Sequence, residues 1–210
     1  MYGGLLFLKF VSPTSNVIFS DVITLSNVNG IPTLELRLGN ADSYRNLLID
    51  VSVNVSYHYT ITYTDEKNQQ RALSQTEELH LSSNKKHELG PFVWVLRHVI
   101  DERSSLFGID FTKSATTGGS GSGSEEQNQP IQMIQIRGFR VTLRATQQST
   151  GATVYHTTAY SLQDVLLGYR FVDQVQIDNV NNITHFVTDY SKLSETVPQP
   201  VWYPISMNND

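Results

Sequence analysis

The 210-residue sequence predicts an all-β domain, either a sandwich or a barrel. Three observations predict it. The dominant side-chain period is two rather than 3.6. The alternating stretches concentrate β-branched and aromatic residues. Turn residues punctuate them.

Taken in order, Asn29-Gly30 is a hairpin signal between strands at Val22–Leu25 and Thr33–Leu38, because both central residues of the favoured tight turn need positive φ. Gly39-Asn40 ends the second strand. Val51 to Tyr63 alternates almost without a break and reads as one half-buried strand. Two further runs, Ile134–Arg137 and Phe139–Arg144, alternate as well. Helix is scarce. The best candidate is Ser161–Gly168, with Ser161 as N-cap and Gly168 as a left-handed C-terminal residue. Thr116 to Pro130 carries no large apolar side chain, so it cannot bury surface and predicts a flexible Gly/Ser-rich loop over 114–130.

Composition excludes several function classes. Only 15 Lys and Arg are spread along a chain of net charge −5, too few for a duplex-binding surface, so no nucleic-acid partner is expected. With no cysteine, disulfides, thiolate catalysis and Cys-ligated zinc are out of reach. No stretch reaches the ~18 apolar residues of a spanning helix. Gly3–Val11 comes nearest, and reads either as a buried strand or as the end of a membrane helix.

Catalytic chemistry is not legible. Six histidines, at 58, 80, 87, 98, 156 and 185, form no helical ligand pair. No Gly-x-Ser-x-Gly elbow, phosphate loop or dinucleotide fingerprint occurs. The acidic pairs Asp65-Glu66, Glu77-Glu78, Asp101-Glu102 and Glu125-Glu126 would point to opposite faces of a strand and make poor acid–base dyads. The expectation is a non-enzyme with neither cofactor nor metal.

Four segments together resemble the C-terminal cytoplasmic domain of inward rectifier potassium channels. They are Val17-Ile18-Phe19-Ser20-Asp21 with Arg37-Leu38-Gly39-Asn40, then His98-Val99-Ile100-Asp101-Glu102-Arg103-Ser104-Ser105-Leu106-Phe107, then Ser149 to Val172, and last Asp189-Tyr190-Ser191-Lys192-Leu193 with Val197-Pro198. Ser105 stands where the family has proline. Order and spacing agree over roughly residues 5–200, apart from the Gly/Ser insertion.

The resemblance implies an immunoglobulin-like β-sandwich with one or two very short helices, over residues 17–205. Residues 1–16 would be a stub of the inner pore helix and its linker to the membrane. It implies a homotetrameric ring beneath a membrane pore, at the cytoplasmic face, with potassium ions passing through its vestibule. The family's constriction loop falls on Thr146, Gly151, Ala152 and Thr153. Vestibule charge falls on Asp65 and Glu66 and on Arg144, the last where strong rectifiers carry an acid. In a four-fold ring that exchange changes the local charge by about eight units. Of the linker's phosphoinositide-binding cations only Lys9 remains, and one lysine near a membrane contributes about 1 kcal/mol, so only weak anionic-lipid contact is implied. The selectivity filter and pore helices are not in this sequence. The rival reading is a stand-alone β-sandwich that binds a ligand or protein, with Trp202-Tyr203-Pro204 as its aromatic platform.

Overall fold

The computed structural model describes residues 16–65, 67, 69–109, 111, 133–180 and 183–199, with the backbone alone for 133, 176–180 and 183–187. The Gly/Ser-rich stretch, Lys9, Glu66 and the Trp202-Tyr203-Pro204 tail therefore lie outside the described residues, as does nearly all of the proposed 1–16 linker.

The strands in chain order are β1 (Val17–Phe19), β2 (Ile23–Val28), β3 (Ile31–Asn40), β4 (Leu48–Thr64), β5 (Gln70–Leu79), β6 (Lys85–Leu89), β7 (Trp94–Val99), β8 (Met133–Gln147), β9 (Thr153–Ser161), β10 (Val165–Leu167), β11 (Tyr169–Phe171), β12 (Val175–Val180), β13 (Ile183–Thr188) and β14 (Thr196–Pro198). In the first sheet β3 is central, with β1 and β2 on one side, β7 on the other, and β10 beyond β2. In the second, β9, β8 and β4 run side by side, and β5 and β6 share the far edge of β4. Two small ribbons, β11–β14 and β12–β13, complete the described strands.

Alternation explains the sandwich. Leu34, Leu36 and Leu38 of β3 and Leu96 of β7 turn one way, while Val51, Val53, Val55, Val141 and Leu143 of the second sheet turn to meet them. All are at most 1% exposed and belong to one apolar cluster. The Asn29-Gly30 hairpin forms as predicted, with Asn29 at φ 53° and Gly30 at φ 83°, the pair of left-handed residues a primed turn requires.

The two alternating runs either side of Gly138 are one strand. The ladder to β4 slips between His58↔Gly138 and Tyr59↔Ile136, leaving Arg137 as a bulge. A Cβ at Gly138 would run into the backbone carbonyl of Tyr160 on β9, so a side chain there would force the strands apart. This bulge shifts the hydrophobic phase, from even-numbered Ile136 to odd-numbered Phe139, Val141 and Leu143.

One expected element is corrected. Ser161 does cap, and Asp164 accepts from its N–H at 2.7 Å and its hydroxyl at 2.8 Å. Gly168 does take positive φ, 74°. Between them, however, only a single 3-10 turn forms (Leu162–Asp164), and Val165–Leu167 pair in parallel with Ile23–Leu25. Three consecutive apolar residues satisfy their backbone better on an open sheet edge than in an isolated two-turn helix.

The outer side of the first sheet is also covered. Arg37 stacks on Phe171 with its guanidinium carbon 4.6 Å from the ring centroid, and donates to the Val172 carbonyl at 2.7 Å. Gln199 exchanges two hydrogen bonds with the Asn27 backbone. The ring of Tyr190 lies against Gly39, where even a methyl group would collide with it, and its hydroxyl donates to the Pro91 carbonyl at 2.8 Å. A 3-10 turn at Tyr190–Lys192, capped by Asp189 accepting from Ser191 N–H at 3.0 Å, fixes that ring. Gly39 and Tyr190, far apart in sequence and each in a family-like segment, thus meet as one packing unit.

Candidate functional site

The family-like loop is the tip of the β8–β9 hairpin. Gln147 N–H donates to the Ala152 carbonyl at 2.8 Å and Gly151 N–H to the Gln147 carbonyl at 2.8 Å, closing a loop of residues 148–151. Gly151 sits at φ 69°, where other L-residues are strained. A Cβ added there would meet nothing within 4 Å. What demands glycine is therefore backbone conformation and not space. Thr146 and Thr153 face each other across the ladder just below the tip.

A chain of side chains anchors the base of this loop. Asn40, the last residue of the Arg37-Leu38-Gly39-Asn40 segment, donates to the Asn46 carbonyl at 2.8 Å. Asn46 Oδ1 accepts from Gln147 Nε2 at 2.8 Å. Gln147 Oε1 accepts from the Thr150 hydroxyl at 3.0 Å, and Thr150 Oγ1 accepts from Ala152 N–H at 3.2 Å. Asn40 and Gln147 are fully enclosed, at 0% and 2% exposure. Buried amides hold their partners firmly because leaving one unpaired costs about 1–3 kcal/mol. Gln148 N–H adds a bond to the Leu47 carbonyl at 2.9 Å. The base is rigid, and the conformationally special residue is at the tip.

Arg144 projects from the outer face of β8, level with Ser52 of β4 and Tyr155 of β9. Among the described residues it makes no ion pair. Its row is polar and exposed, and Ser52 Oγ lies 3.5 Å from its carbonyl.

The structure does not bring Asp65 to Arg144. Asp65 follows the last residue of β4, whereas Ser52 lies near that strand's start. At ~3.3 Å per residue the two are roughly 40 Å apart within one chain. Asp65 organises the β4–β5 turn, accepting from Lys67 N–H and Gln69 N–H at 2.9 Å and from Arg71 Nε at 3.0 Å. These bonds, with that from Gln69 foremost, hold its carboxyl below the usual carboxylate range.

A second bulge in this ladder, on β4 between Ile49↔Thr146 and Ser52↔Arg144, holds Asp50 at φ 50°. His87 Nδ1 approaches its carboxylate at 3.9 Å. The sequence did not signal it: Ile49-Asp50-Val51 continues the alternation of β4, and the slip shows only in burial passing from Leu48 to Val51.

The His98 segment is a folded turn. His98 is 2% exposed. Its Nδ1 lies 2.7 Å from the His80 carbonyl, which can only accept, so Nδ1 carries the proton. Nε2 then accepts from the Ser104 hydroxyl at 2.7 Å, and Ser104 Oγ accepts from Leu106 N–H at 3.1 Å. Burial pushes the His98 pKa down, against a raising effect of its bond to His80. No cluster of metal-binding side chains occurs among the described residues. No helix there is long and apolar enough to cross a membrane.

Two sheets, a glycine-tipped hairpin and a polar scaffold beneath it define the class: an all-β sandwich domain with a buttressed loop at one end. Comparison with known proteins then specifies it. Residues 133–208 match the family model for the inward rectifier potassium channel C-terminal domain. The inward rectifier potassium channel Kirbac3.1 of Paramagnetospirillum magnetotacticum is 22% identical over 171 residues, covering 81% of this chain and 50% of that protein. Over residues 133–208 the chain is thus similar to the inward rectifier potassium channel C-terminal domain. It spans about half the length of this curated relative.

Proposed function

We propose that this chain is the cytoplasmic gating and assembly domain of an inward rectifier potassium channel. Four copies form a ring beneath the pore, and the Gln147–Ala152 loop of each contributes to a constriction. Motion of the sandwich reaches the pore through this loop and through the segment preceding Val17. The observation that carries the reading is the contrast between the loop's buried amide scaffold and its left-handed Gly151 tip. Such a device moves as a unit with the sandwich, yet leaves one backbone position free to take rare conformations.

Arg144 on the exposed face of β8 makes the vestibule wall at its level a poor attractor of polyvalent cations, so weak rectification follows from this reading. The test is potassium flux into vesicles through a chimera in which residues 17–199 replace the matching domain of Kirbac3.1. Gly151→Val should cut flux several-fold, while the thermal midpoint of the isolated domain falls by only a few degrees. Flux equal to that of the unmodified chimera would remove the loop from the gating path.

A further inference from the structure

The second sheet has two opposite edges. β9 pairs with β8 along one side only, and among the described residues no strand pairs with its other side. On the far flank β6 likewise pairs only with β4. The two edges carry opposite charge. Beside β9 a groove of about 410 Å³ opens between that strand and β1, with Thr157 and Ala159 on one wall, Val17 and Phe19 on the other, and Asp21, Asp164 and His156 also lining it. No lysine or arginine lines it. β6 begins Lys85-Lys86-His87, all exposed, with Glu88 the one acid of the strand. Lys85 faces Ser52, in the same row as Arg144.

We infer that these edges are the two halves of one heterologous subunit contact: β6 of one copy lies in the Asp21/Asp164 groove along β9 of the next. The inference rests on the ring reading above and specifies it. If the Arg144 face of the sheet looks toward the ring axis, its lateral edges must face the neighbouring copies. A head-to-tail contact between unlike edges builds a ring when its rotation closes, as a quarter-turn would for four copies, whereas a like-with-like contact closes at two. Lysines on an edge strand oppose indiscriminate strand pairing. Opposed to a groove with two carboxylates, the same lysines become selective for that partner. The contact would carry the row of Arg144, Ser52 and Lys85 from copy to copy around the lumen.

Light scattering and directed crosslinking on the full 210-residue chain test this, helped by its lack of cysteine. Asp21 is suited to reversal, because only its backbone N–H is bonded, to Ser194 Oγ at 2.8 Å. Asp21→Lys alone or Lys85→Asp alone should raise the concentration at which tetramers form about tenfold, and the two together should restore it. A Lys85→Cys/Thr157→Cys double variant should oxidise to covalent species up to the tetramer, while a mixture of the two single variants stops at the dimer. Tetramers indifferent to charge reversal and free of crosslink would overturn this contact and leave the ring intact. Self-crosslinking of Lys85→Cys alone would show a like-with-like contact and overturn it too. A chain monomeric at every concentration would overturn the ring reading together with the inference.

Discussion

β3 and β5 are both ten residues long, yet they live in opposite surroundings. β3 is buried from Thr33 to Asn40 on both faces; β5 is exposed from Gln70 to Glu78. β3 is enclosed because the core seals its leucines and the chain from Phe171 to Gln199 returns to cover its polar side. β5 pairs only with the distal part of β4, and the row Leu73–Ile61–Ile134 across three strands leaves Leu73 47% and Ile134 46% exposed. Strands of equal length therefore carry very different energetic weight, depending on their apolar residues and on what packs over them.

The largest effect should come from the tightest point of β3. Gly39→Val drives the Tyr190 ring away and breaks its bond to the Pro91 carbonyl, and should cost about 2–3 kcal/mol in urea unfolding. Unchanged stability would mean that the C-terminal cover is not fixed by this contact. Arg37→Ala should come next, at about 2 kcal/mol, from its charged hydrogen bond to Val172 and its stacking on Phe171. Burial already holds the Arg37 pKa below its usual value, opposed by Glu35 and Asp173. Glu35 stays paired with Arg97 at 2.5 Å, which limits the loss.

Smaller again is the pH response of His98, which pairs with Leu34 of β3. Its folded pKa lies below the unfolded value of about 6.5. The unfolded chain therefore binds the extra proton first. Stability from this group is complete above about pH 6.5 and falls as pH drops toward the folded pKa. Thermal midpoints across that window should decline in the wild type and flatten in His98→Gln; equal slopes would exclude His98 as the cause. Least of all, Leu73→Thr on β5 should change stability by no more than about 0.5 kcal/mol. A loss above 1 kcal/mol would show that the exposed row is covered in solution, and would weaken the contrast itself.

Much of this was legible from residues alone. Asn29-Gly30 dictated a turn and Val51–Tyr63 a strand. Each is a local property: a φ that only some residues tolerate, or a period read within a few neighbours. The distance from Asp65 to Arg144 was not legible, because a strand's length and register set it. Nor was the fate of Val165–Leu167, whose helix-like caps enclose a strand only because Ile23–Leu25 offers an open edge.

The sequence by itself determined that this protein is a strand-rich sandwich or barrel, where its tight turns fall, and the resemblance that its family match later supported. Tertiary structure alone decided which polar residues are buried, that Gly39 answers to Tyr190 across the chain, that Asp65 lies far along β4 from Arg144, and which sheet edges stay open among the described residues. The physical reason is range. Alternation and φ preference act over a few residues, whereas burial, register slips and edge exposure depend on contacts between segments that the chain brings together only when it folds.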